Sequence, residues 1–151
     1  MKTGYMAAMA LSLLVAAAPA RAADGLIEKT SPHGVKQTLD RFESVLKAKG
    51  ITIFARIDHA AGARKIGQEL PPTELIIFGS PKMGTPLMTA NQSIGIDLPL
   101  KLLAWRDDAG QVRIAYNDPA ALKARHQIKG RDKLFGKMSK VLGALTDAAL
   151  K

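Results

Sequence analysis

No cysteine occurs among the 151 residues, which excludes disulfides, thiolate nucleophiles and cysteine metal ligands together. Aromatic residues make up only 5% of the chain, so its core must be built mainly from aliphatic side chains. Acids are scarce as well: 13 Asp and Glu stand against 22 Lys and Arg, a net charge of +9 that favours anionic partners. Long apolar runs are confined to Met6 to Ala18, shorter than the roughly 20 residues that a membrane-spanning helix needs. There is no Gly-x-Ser-x-Gly elbow, no P-loop spacing and no paired-carboxylate signature, and no His-x-His or Met-x-x-Met spacing brings together any of His59, Met83, Met88 and His126. No run of residues therefore forces a particular reaction, metal or cofactor.

What is present begins with a leader. Lys2 supplies a positive end, Met6 to Ala18 an apolar stretch, and Ala18-Pro19-Ala20 a small-x-small cleavage site, with Arg21-Ala22-Ala23 offering a second cut. An ordinary core helix would need a polar face, and Met6 to Ala18 has none. The pattern predicts a cleaved signal peptide over residues 1–22, a single domain over 23–151, and a periplasmic or secreted location. Loss of Lys2 and Arg21 reduces the charge to +7. Much of that surplus lies between Lys123 and Lys140, where seven cations face one acid, Asp132. Such a stretch suits an anionic lipid, envelope polymer or acidic protein, or a solvated helix face. Nucleic acid is not an expected partner, because no recognition motif accompanies the charge.

The remaining chain reads as alternating strands and helices. Gly25 to Thr30 is a strand candidate, and Ser31-Pro32 has the form of a helix cap with proline at the first helical position. Val35, Leu39, Phe42 and Leu46 then recur at helical spacing up to Gly50. Ile51 to Ile57 alternates like a strand with one face on a core, and Asp58 caps a short helix from His59 to Ile66. Leu75 to Phe78 is a continuous apolar strand. Gly79 to Gly84 reads as a loop, Thr85 to Ala90 as two turns of helix, and Asn91 to Gly95 as another loop. Leu100 to Trp105 and Val112 to Tyr116 form a hairpin through Asp107-Asp108-Ala109-Gly110. Asp118-Pro119 starts a helix ending near His126, and Leu134, Phe135, Met138, Val141, Leu142 and Leu145 line one face of a last helix. The expected fold class is α+β, with a mixed sheet of about five strands and helices packed on it.

Four segments in order, Ile57 to Gly67 (IDHAAGARKIG), Glu69 to Met88 (ELPPTELIIFGSPKMGTPLM), Ile94 to Trp105 (IGIDLPLKLLAW) and Ile114 to His126 (IAYNDPAALKARH), resemble the bacterial DUF302 domains. The likeness runs from about Val35 to near the C-terminus. One departure is Ser80, where the family's turn usually reads Phe-Gly-Asn-Pro. The resemblance implies a compact α+β domain, often a homodimer, without an assigned activity.

Candidate site residues sit at element ends, where loops on a rigid scaffold present side chains to a cleft. They are His59, Lys82, Thr85, Asp97, Tyr116, Arg125 and His126. A guanidinium beside an imidazole, as in Arg125-His126, suits a carboxylate or phosphate group. The expected site is a small cleft among residues 79–84, 91–98 and 117–126, with Arg125 holding an anionic ligand, Lys82 supporting it, and His126 or His59 orienting it. The alternative is an envelope handler of copper or zinc, or a hydrolase, using His59 and His126 together.

Overall fold

In a computed structural model, residues 25–151 are described, and the predicted leader over 1–22 lies outside the described residues. The chain order is β1 (Leu26–Ser31), α1 (Val35–Ala48), β2 (Thr52–Asp58), α2 (His59–Lys65), β3 (Thr73–Gly79), α3 (Pro81–Ala90), a 3-10 turn (Gln92–Ile96), β4 (Leu100–Arg106), β5 (Val112–Asn117), α4 (Pro119–Arg125) and α5 (Asp132–Leu150). The strands form one sheet in the order β1-β5-β4-β3-β2. The expected α+β class and strand number are therefore present.

The sheet is wholly antiparallel, however, where a mixed sheet was expected. β1 and β2 do run the same way and are joined by a helix, the sequence pattern of a parallel crossover. Yet α1 carries the chain from one edge of the sheet to the other, so the two never pair.

Cross-strand rows divide the sheet into two unlike faces. Ile27, Tyr116, Leu102, Ile76 and Arg56 are successive register partners, and the three residues in the middle of that row are buried. Helices α1 and α5 pack on one another, and α1 also meets β2, β3 and β4. Their buried stripes are Val35, Leu39, Phe42 and Leu46, and Phe135, Met138, Leu142 and Leu145. These spacings put one side of each helix in the core, where each fully buried large side chain contributes roughly 1.5–3 kcal/mol. Phe42 meets Phe78 edge-on at 5.1 Å.

Cations close both margins of this layer. Arg56 on β2 reaches Asp40 of α1 at 2.5 Å and Glu74 of β3 at 2.7 Å. At the opposite edge Lys29 on β1 donates to Thr146 at 2.7 Å and Asp147 at 2.6 Å, both on α5. The other face carries the row Ile57, Leu75, Leu103, Ala115 and Glu28. Of these only Ala115 is buried.

Two local expectations change. Ser31 ends β1 rather than capping α1, which starts at Val35 after Gly34. Its buried hydroxyl instead bonds the Thr38 hydroxyl at 2.6 Å and accepts from the His33 amide at 3.1 Å. The stretch 79–84 is mostly helix, since α3 begins at Pro81. Ser80-Pro81 carries the same entry signal as Asp118-Pro119, with proline's missing N–H at a position that has no intrahelical partner.

Candidate functional site

β3 ends and β4 begins at the same end of the sheet, and the segment between them, α3 and the 3-10 turn, folds over that end. Asn91 starts the turn by accepting from the Ser93 amide at 3.0 Å, and its side-chain amide donates to the His126 carbonyl at 2.8 Å. His126, which ends α4, uses both ring nitrogens: Nδ1 lies 2.8 Å from the Ser93 hydroxyl and Nε2 lies 2.6 Å from Asp97 Oδ2. Arg125 Nη1 donates to both Asp97 oxygens, at 3.0 and 3.1 Å. Burial works to raise the Asp97 pKa, but hydrogen bonds from His126 and Arg125 outweigh it and hold the carboxyl below its ordinary value.

The carboxylate expected from a ligand is thus supplied by the protein itself. The chain Ser93, His126, Asp97 has the connectivity of a nucleophile, base and orienting acid. Its setting is different, because the Ser93 amide is already committed to Asn91 and Ser93 does not line the neighbouring pocket. What the network does is fasten the 91–97 segment to α4.

Immediately beyond Asp97 the chain forms one wall of a pocket of about 350 Å³. Leu98, Pro99 and Leu100 face the β3–α3 turn, Gly79, Ser80 and Pro81, while Gly84, Thr85 and Met88 of α3 and Phe54 of β2 complete the lining. Gly79 lies against both walls: a Cβ there would meet Pro99 Cβ at 3.4 Å and the Phe54 ring at 3.8 Å, ordinary contact distances. Phe54 lies where the β2 register slips between Ile53 and Ala55, which turns it out of the simple alternation. It remains 55% exposed.

Several expected site residues meet here and others do not. Asp97, Arg125 and His126 form the network, Thr85 lines the pocket, and Lys82 stands exposed on the first turn of α3 beside it. Tyr116 does not join them. It is 4% exposed, in the core row between Leu102 and Ile27, because its place in β5 puts it on the helix-covered face. His59 opens α2 at the far end of β2, a strand's length away on the order of 20 Å, so the proposed His59–His126 site cannot form. Among the described residues no group of three or more His, Cys, Asp or Glu is placed to hold a metal.

Sequence reasoning missed Asn91 and Ser93, which looked like loop residues, and the apolar lining from Phe54, Met88 and Leu98 to Leu100. A signal for the pocket was present: Gly79, Ser80, Pro81, Gly84, Thr85 and Met88 all fall in the Glu69 to Met88 segment.

Comparison with known proteins adds three findings. Residues 27–145 match the profile of the family described as "Domain of unknown function DUF302". The chain is similar to proteins named fluoride-specific ion channel FluC 1 from Brucella suis biovar 1 (strain 1330) and Brucella abortus biovar 1 (strain 9-941). Each is 48% identical over 104 residues, or 69% of this chain. The matched stretch covers 41% and 38% of those relatives, so the chain corresponds to well under half of their length. Among solved structures it resembles the uncharacterized conserved protein DUF302 from Bacillus stearothermophilus. The TM-score is 0.75 at 20% identity, covering 84% of this chain and 99% of that one.

Proposed function

Because the chain belongs to the DUF302 family, whose name assigns no activity, we propose its function from its geometry: a small-ligand-binding module whose site is the pocket between the β3–α3 turn and Leu98–Leu100. The observation that carries this reading is the pocket itself, about 350 Å³ and lined by eight residues without a polar side chain plus Ser80 and Thr85. That size and lining match small-molecule sites, where apolar walls supply affinity and few polar groups set orientation. Asp97, Arg125 and His126 act as positioning residues that hold the Leu98 wall in place.

The test uses a neutral apolar reporter, 1-aminoanthracene. It is expected to bind one equivalent with enhanced fluorescence, and Gly84→Leu is expected to abolish the signal. A Cβ at Gly84 meets Leu98 Cδ1 at 3.6 Å and Met88 Cε at 3.9 Å, ordinary contacts, so the rest of a leucine projects into the pocket without disturbing the helix. Equal binding by both proteins would sink the assignment.

The leader pattern supports a periplasmic or secreted location, and fractionation of cells expressing the full chain tests it. We also propose a homodimer, with the second copy on the open sheet face. The apolar row from Ile57 to Ala115 supports it.

A second reading rests on the Brucella relatives: the module works beside a membrane channel for fluoride. Among the described residues no helix is long and apolar enough to cross a membrane, which suits an accessory part better than a conducting one. Fluoride release from vesicles carrying such a channel, with and without this protein, decides it. An unchanged rate removes the reading.

A further inference from the structure

Resting on the pocket as the binding site, we propose that its ligand is an amphiphilic anion, an unbranched hydrocarbon chain of about ten carbons ending in a carboxylate or phosphate. A volume of about 350 Å³ holds about a dozen groups of water size, at roughly 30 Å³ each. Phe54, Met88, Leu98 and Leu100 offer such a chain apolar walls, and methionine adapts to its shape. A polar ligand body would find hydroxyls at Ser80 and Thr85 and otherwise lose its hydration uncompensated.

The rim supplies the sign of the head group. Lys101 Nζ lies 3.2 Å from the Pro99 carbonyl and 3.4 Å from that of Asp97, so its ammonium sits over the pocket wall. Lys82 directly follows the lining residue Pro81 and is exposed. Among the described ion pairs neither lysine has a carboxylate partner. The neighbouring acid, Asp97, is engaged by Arg125 and His126. The two ammonium groups therefore present positive charge, without local neutralisation, beside an apolar hole. An anionic head at the rim with its chain inside satisfies both parts.

Displacement of 1-aminoanthracene by decanoate, decanol and decyltrimethylammonium tests the proposal. Decanoate is expected to compete at about tenfold lower concentration than decanol, with the cationic amphiphile weakest. The double variant Lys82→Gln with Lys101→Gln is expected to weaken decanoate about tenfold and leave decanol unchanged, since both side chains are polar surface groups and the walls are untouched. Sedimentation with phosphatidylglycerol vesicles, abolished by Gly84→Leu, would mark a membrane lipid as the source of the chain. Decanoate binding without sedimentation marks a free amphiphile. Equal competition by decanoate and decanol overturns the anionic head while the pocket stands. No competition by any of the three, with the reporter bound, overturns the chain-like ligand. Failure of the reporter to bind at all removes the underlying site.

Discussion

At the scale of single residues the decisive group is Asp97. Its charge, its place beside Leu98 and its element end were readable, and so were Arg125 and His126 as an anion-gripping pair. Their being partners was not, because Asp97 and Arg125 are 28 positions apart and only the fold brings them together. Asp97→Asn is expected to cost about 2 kcal/mol at neutral pH, the order expected for hydrogen bonds to a charged group, and urea unfolding measures it. The pH dependence follows from the lowered pKa. The ordinary value is 3.8 and the folded value lies below it, so the carboxylate's contribution is full above 3.8 and is lost as pH falls through the folded value. The gap between wild type and Asp97→Asn should therefore narrow only below pH 3.8. A gap that closes already between pH 7 and 5 would show that the carboxylate is not the stabilising group. Tyr116 illustrates the opposite limit: a strand residue before a polar turn looks presentable to ligand, and only pairing with Leu102 and Ile27 reveals that it faces the core.

Among elements, the helices and strands with clean periodicity were largely legible, α5 above all, while α1 starts at Val35, three residues after the position that Ser31-Pro32 suggests. The misreadings came where one signal had two uses. Ser31-Pro32 and Ser80-Pro81 look alike, yet the first ends a strand and the second opens a helix. The ties between layers were invisible, because a charge on a strand reads as solvent-facing until its row is known. Arg56 is the case in point. It stands on the covered face, 23% exposed, and joins α1 to β2 and β3 through Asp40, Glu43 and Glu74. Hydrogen bonds from Lys36 and Arg56 hold Asp40 below its ordinary pKa. Arg56→Ala leaves Glu74, only 15% exposed, without its partner, so a loss of about 2 kcal/mol is expected, and Arg56→Lys should recover part of it because an ammonium cannot make all these contacts at once. Thermal melts give the sizes, and amide exchange should quicken first in edge strand β2. Uniform exchange across the sheet would argue against a local tie.

For the whole molecule, the sequence shows five strands and where helices fall, but not the edge to which each helix delivers the chain, since that depends on what α1 and α5 cover together. The result is a layer with one face closed by helices and cations and the other left with Ile57, Leu75, Leu103 and Trp105 half-exposed. In the proposed homodimer a second copy would cover this row with an identical one across a twofold axis. Leu103 sits in the middle strand of this face, paired with Leu75 on one side and Ala115 on the other. Leu103→Lys places like charges opposite one another at the centre of any such contact, while in a monomer its ammonium would simply enter solvent. Light scattering at micromolar concentration should give the wild type at twice the chain mass and the variant at the chain mass, with the two circular dichroism spectra superimposable. The pocket gives an independent check: Phe54, Gly79 and Pro99 enclose it within one chain, so the monomeric variant should bind 1-aminoanthracene as tightly as the wild type. A wild type that runs as a monomer removes the dimer. A variant that loses the reporter along with its partner would mean that the second copy helps to build the site.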